Sequence, residues 1–364
     1  MGRTYSAAMH MAASSPATPL PDLRRSDRGT SAGAPPDSLR SGRDLLRATE
    51  RYAFDSRGRS WMHLITTVSL LVGALVVAGA APWWPVQLAA SILATLVFVR
   101  AFILFHDFMH GSILKGSKLA EGIFFVLGMI LMTPPNAWRY GHNYHHKHVG
   151  KRSEASTGSF PLLTTEMWRK ASKGDRLFYR VARHPLTIVF AILTVFAYSI
   201  CFTNFRKDPR KYWDSAAALL CHLIGVPLLA IYGGFEPLLF LYLIPVVSAG
   251  ALGAYLFYSQ HNFVGMQVPD EDEWDYHSAS VATSSYLETG ALLRFFTGNI
   301  GFHHVHHLNA QIPFYRLPQA MAEMPELQNP IRTTLRPRDV LGNLRLKLWD
   351  ESRREMVTFR DVTT

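Results

Sequence analysis

Residues 61–111 read WMHLITTVSLLVGALVVAGAAPWWPVQLAASILATLVFVRAFILFHDFMHG. The two apolar runs 61–81 and 85–105 each have about twenty residues, enough to cross a ~30 Å hydrocarbon core as a helix. The turn between them, Pro82-Trp83-Trp84-Pro85, carries interfacial aromatics and no charge. This pattern predicts a tight transmembrane hairpin whose second arm ends on His106 and His110. Residues four apart share a helix face, so both imidazoles project together. Arg100 lies inside the second run and is expected to snorkel toward the headgroups, with a role near the histidines as its alternative.

Two more clusters follow, His142-Asn-Tyr-His145-His146 and His303-His304-Val-His306-His307, each beside an apolar stretch. Neutral imidazole is the commonest metal-binding side chain and suits iron, copper, nickel and zinc. The eight imidazoles of His106, His110, His142, His145, His146, His303, His306 and His307 are too many for one tetrahedral zinc. They suffice for two metals with positions left open. One such cluster alone is usually a solvated helix, but three beside apolar spans point to a di-metal site. Asp107 directly follows His106 and is placed to orient an imidazole through its ring N–H, with helix capping as its alternative.

Residues 119–133 are apolar but number only fifteen, so an interfacial or re-entrant segment is expected there. Three longer runs follow at 185–204, 214–232 and 235–258. All clusters must meet at one metal pair, so an even number of these runs crosses. Arg169, Lys170, Lys173, Arg176, Arg180 and Arg183 precede the run 185–204, and Arg206, Lys207, Arg210 and Lys211 follow it. Basic flanks favour the cytoplasmic face, which places this run in the interface. The expected fold is an all-α integral membrane protein with four transmembrane helices in two hairpins, interfacial helices and a cytoplasmic helical cap holding the histidines. Both termini and the active site are expected to be cytoplasmic, and the membrane to be the plasma (inner) membrane if the source is bacterial.

Residues 1–48 are rich in Ala, Ser, Pro, Gly and Arg and read as a disordered tail. A single membrane domain is expected over 49–340, with a polar tail at 341–364. The two cysteines, Cys201 and Cys221, both lie in apolar runs and imply packing rather than a disulfide framework. The net charge of +10 suits anionic headgroups or an acidic protein partner, and no nucleic-acid motif is present.

The order H-D-x-x-H-G, H-x-x-H-H, H-x-x-H-H resembles the membrane fatty-acid desaturase and hydroxylase superfamily, over roughly residues 50 to 320. Tyr258-Ser-Gln-His261-Asn-Phe and the run from Gly301 through His307-Leu308-Asn309-Ala-Gln-Ile-Pro-Phe-Tyr-Arg316 resemble its acyl-lipid branch, the Δ12/ω-6 type most closely. The resemblance implies that the eight histidines ligate two non-heme irons, with His261 completing the set. It implies O2 as co-substrate and an acyl lipid as substrate. His304 and His148 fall off the matched positions, and His10, His63, His184, His222 and His277 carry no pattern. Asp270-Glu-Asp-Glu-Trp274-Asp-Tyr276 reads as a solvated charge run, with a lid as the alternative. No heme motif, flavin fingerprint or ferredoxin cysteines are visible, so a separate donor, an acidic ferredoxin or cytochrome b5, is expected. Carotenoid ketolases, carotenoid hydroxylases and alkane hydroxylases use similar boxes and form the nearest alternative. A histidine-lined metal transporter ranks lower, because the histidines lie at span ends and no internal repeat appears.

Overall fold

The structure, a computed structural model, describes residues 39–152 and 159–362. The disorder expected for residues 1–38 lies outside the described residues. Among the described residues, four helices are long and apolar enough to cross a membrane: Arg57–Ala80, Trp84–His110, Trp213–Gly233 and Phe235–Gln260. They coincide with the four expected runs. The first two pack along their length, and the second also packs on the fourth. The second is the central element: 67% of its apolar window is buried, against 6% for the third. Ile65, Val72, Val76, Leu220, Leu223, Ile224 and Ile231 point outward as exposed apolar surface, which hydrocarbon accommodates and water does not.

The breaks follow from local chemistry. Gly111 takes φ +73° and ends the second helix directly after His110. Gly234 takes φ +82° and forms the one-residue turn between the third and fourth. Pro227 and Pro245 lie inside those helices, and wide π-type turns run beside them at Leu229–Gly233 and Leu239–Val247. Proline removes an N–H and clashes with the carbonyl one turn back, so the helix widens.

The short run expected to be re-entrant forms the helix Lys118–Ile130, which turns by 88° into Pro135–Lys147. Pro135 cannot continue a helix but suits its first turn, which explains the break. The new helix is pinned where Asn136 N–H donates to Asp214 Oδ2 at 2.7 Å, at the start of the third span. The run 185–204 is broken into Pro185–Val189 and a π-type stretch, Ile192–Phe202, and is not one of the four long apolar helices.

Three sequence expectations need correction. Arg100 does not snorkel; it is 2% exposed. Its Nε donates to Thr67 Oγ1 at 3.0 Å, Nη1 to the Phe295 carbonyl, and Nη2 faces His63 Nδ1 at 3.1 Å. The guanidinium carbon also lies 4.0 Å from the Phe295 ring centroid, so its partners are met inside the protein. Residues 42–48 of the expected tail belong to a helix, Gly42–Thr49, whose Leu45 and Thr49 are buried; Thr49 Oγ1 accepts from Asn309 Nδ2 at 2.8 Å. The expected polar tail at 341–364 is folded as well. Leu348–Asp350 pairs in parallel with Leu163–Thr164 and antiparallel with Glu355–Val357, and Leu348, Trp349, Met356 and Val357 are buried. Each strand buries two adjacent apolar residues, and these four outweigh the charged residues that flank them.

Candidate metal centre

The second span, the bent helix Pro135–Lys147, the end of the fourth span and the short helix His303–Leu308 bring nine imidazoles together. Ligand atoms of His106, His110, His142, His146 and His306 lie within 4.8 Å of one another, as do those of His145, His261 and His307. His303 joins the second group, its Nε2 lying 2.9 Å from that of His261 and 3.1 Å from that of His307. The groups abut where the His146 and His307 rings stack, centroids 4.1 Å apart. The three imidazoles of each H-x-x-H-H cluster divide between the two groups. His142 and His146, one turn apart, serve the group of five, while His145 turns to the other. His303 and His307 serve the group of four, and His306 turns back to the first.

Their electrostatics suit a cation. Burial foremost, and then neighbouring imidazoles, hold His142, His145, His146, His303, His306 and His307 well below the usual histidine range. Burial lowers His261 to about 4, against a raising contact with the Thr283 carbonyl. All are therefore neutral near pH 7 and present a lone pair. Two facing imidazoles can share one proton, but five converging nitrogens cannot pair off among themselves. His110 Nε2 is buried with no hydrogen-bond partner among the described residues. A metal satisfies this convergence, and the residues fit one.

Surrounding contacts fix the rings. Asp107 Oδ1 lies 3.0 Å from His106 Nδ1, and its Oδ2 accepts from Phe314 N–H at 2.7 Å. The orienting placement is the one found, with the carboxylate also anchoring the segment after the third cluster. That segment is tied down repeatedly: Gln311 Nε2 donates to the His110 carbonyl at 2.8 Å, and Tyr315 OH donates to Asp55 Oδ1 at 3.1 Å. Asp55 in turn accepts from Leu114 N–H at 2.8 Å. His261 Nδ1 donates to the Thr283 carbonyl at 3.0 Å. His304 faces away, with Nε2 on the Leu327 carbonyl at 3.1 Å, and His148 stacks on Tyr144.

Several contributors escaped the sequence reading. Trp138 stacks on His142 at 4.2 Å; its place one turn before His142 on the same helix was the available signal. Tyr276 OH donates to the His307 carbonyl at 2.8 Å, and Trp274 Nε1 donates to the Val149 carbonyl at 3.0 Å. Asp270 accepts from Arg152 at 2.8 Å. The acidic 270–276 loop keeps Glu271, Asp272, Glu273 and Asp275 exposed, as a solvated charge run, while Asp270, Trp274 and Tyr276 tie it down. His222, without a sequence pattern, bridges spans: Tyr242 OH lies 2.8 Å from Nδ1 and the Met129 carbonyl 3.1 Å from Nε2.

Comparison with known proteins agrees with this geometry. The fatty acid desaturase family profile matches residues 81–337. A fatty acid desaturase of Bacillus subtilis (strain 168) is 31% identical over 278 residues, covering 76% of this chain and 78% of the relative. An sn-1 oleoyl-lipid 12-desaturase of Picosynechococcus is 21% identical over 290 residues, covering 78% and 81%. The chloroplastic omega-6 fatty acid desaturase of Spinacia oleracea is 25% identical over 294 residues, covering 78% and 63%. A cluster of histidines able to hold metal at the ends of apolar helices and a profile match over most of the chain lead to one conclusion: this chain belongs to the fatty acid desaturase family.

Proposed function

We propose that the protein is an O2-dependent acyl-lipid desaturase that introduces a cis double bond into a mono-unsaturated C18 chain, with Δ12/ω-6 placement. The observation that carries this reading is the division of nine imidazoles into adjacent groups of five and four, which suits two non-heme irons. Such an iron pair supplies the oxidising power to remove two hydrogens from unactivated carbons, which no side chain supplies. The chain's own residues hold and orient: His106, His110, His142, His146 and His306 would keep one iron, and His145, His261, His303 and His307 the other. Asp107 fixes the His106 ring, and Trp138 and Phe257 wall the imidazoles with apolar surface. Two hydrogens from the chain, two electrons and two protons reduce O2 to two waters. The electrons come from a separate ferredoxin or cytochrome b5, for which exposed Arg169, Lys173 and Arg180 offer a basic surface. The Δ12/ω-6 placement is supported by the His261 and third-cluster motifs and by the activities named for the relatives above.

The test is expression in a host lacking polyunsaturated lipids, followed by chromatography with double-bond localisation. A linoleoyl product is expected. Hydroxylated or keto carotenoids beside an unchanged acyl profile would refute the reading.

The same reading places four spans in two hairpins, with the histidines, the cap and both termini on the cytoplasmic side of an inner membrane. Single cysteines at positions 83 and 234 are expected to react with an impermeant reagent from outside. Those at 115, 173 and 208 should react only after permeabilisation; external labelling at 208 would contradict this topology.

A further inference from the structure

A pocket partly open to solvent reaches His145 and His261. Phe160, Phe257 and Trp349 line it, and buried Arg183 contributes a polar edge. Trp349 is 1% exposed and is the largest fully buried side chain among the described residues. It belongs to the strand Leu348–Asp350, beyond the region the family profile matches, which ends at 337.

That strand is anchored to the segments around Arg183 and Tyr179. Arg183 Nη1 donates to the Pro161 carbonyl at 2.7 Å, and Nη2 donates to Asn262 Oδ1 and reaches the Leu346 carbonyl at 3.4 Å. Lys347 Nζ donates to the Arg183 carbonyl at 2.5 Å, and Tyr179 OH donates to the Lys347 carbonyl. Asn262 follows His261 in the chain, so Arg183 anchors the strand to the residue next to a metal-facing imidazole. A wall fixed this way cannot yield to a larger occupant, and close packing makes its shape selective.

We propose that Trp349 is a specificity-determining residue: its indole bounds the pocket beside His145 and His261, and so limits how many carbons of an acyl chain extend past them. This rests on the desaturase reading above. The pocket wall is mainly apolar and aromatic, matching an alkyl chain, and shortening Trp349 enlarges the same space rather than opening a separate void. One methylene in an apolar pocket changes discrimination by about 10- to 200-fold, so the effect is measurable.

The experiment uses the full-length protein in an expressing host offered acyl chains of several lengths, with products sorted by length and double-bond position. Trp349→Ala is expected to shift the product ratio by about tenfold or more toward chains with more carbons on one side of the new double bond. Trp349→Phe should shift it less, in the same direction, and decides the matter if Trp349→Ala fails to accumulate. Met356→Ala removes a buried neighbour of the same apolar cluster that does not line the pocket, and should keep the wild-type profile whatever its yield. Wild-type profiles from both accumulated Trp349 variants, or the same shift from Met356→Ala, would overturn the proposal. A wild-type protein forming no new double bond would count against the desaturase reading itself.

Discussion

Replacing His145 by Ala is expected to lower desaturation more than about a hundredfold, beyond the 10- to 100-fold loss typical when a partner outside the ligand set is removed. His145 belongs to the smaller group, where its Nε2 lies 3.1 Å from that of His261. Its loss leaves three imidazoles to hold a metal and leaves His261 facing a gap. His142→Ala should be equally damaging from the other group, because its Nε2 lies 3.1 Å from that of His146. Neither residue lies in one of the four long apolar helices, so membrane insertion should be unchanged. His304→Ala is the discriminating control. That ring is fully buried and sits inside the third cluster, yet it bonds the Leu327 carbonyl instead of joining the nine. Its removal leaves a buried acceptor unsatisfied and should cost about 1–3 kcal/mol of stability, with turnover per folded chain largely kept. Fatty-acid analysis normalised to folded membrane protein separates these outcomes. Equal loss from His304→Ala and His145→Ala would mean that the centre is not built as described.

Gly301→Ala is expected to destabilise the protein by about 3 kcal/mol, at the upper end for overpacking. A Cβ at this position would lie 2.5 Å from the Leu287 carbonyl oxygen, and a backbone atom cannot rotate aside. The two segments are also joined by the bond from Leu287 N–H to the Gly301 carbonyl at 2.8 Å, which stops them separating. Gly301 directly precedes Phe302 and His303, so the shift would carry into the group of four. Gly253, on the fourth span, offers the contrast, because an added Cβ there meets nothing within 4 Å. Gly253→Ala should be neutral or slightly stabilising, since alanine favours the helix by up to about 1 kcal/mol. Thermal unfolding of the two variants in detergent checks both, and a wild-type melting point for Gly301→Ala would refute the packing argument.

The spans were legible because twenty-residue apolar runs are a length signal that needs no tertiary information. The histidines were legible because their spacing is local. What failed depended on partners distant in sequence. Arg100 reads as a snorkelling cation until Thr67, His63 and the Phe295 carbonyl are seen around it. The 341–364 segment reads as polar because its buried residues are two short apolar pairs set among charges, and its partner, Leu163–Thr164, lies far away in the chain. The assignment of His145 and His306 to opposite groups from their cluster neighbours depends on how three helices converge. No single helix face records it.

The proposed function rests on two irons shared among nine histidines. Its most direct test is elemental analysis of the purified wild-type protein, made in cells supplied with both iron and zinc. About two iron atoms per chain and little zinc are expected. Stoichiometric zinc with no iron would contradict it.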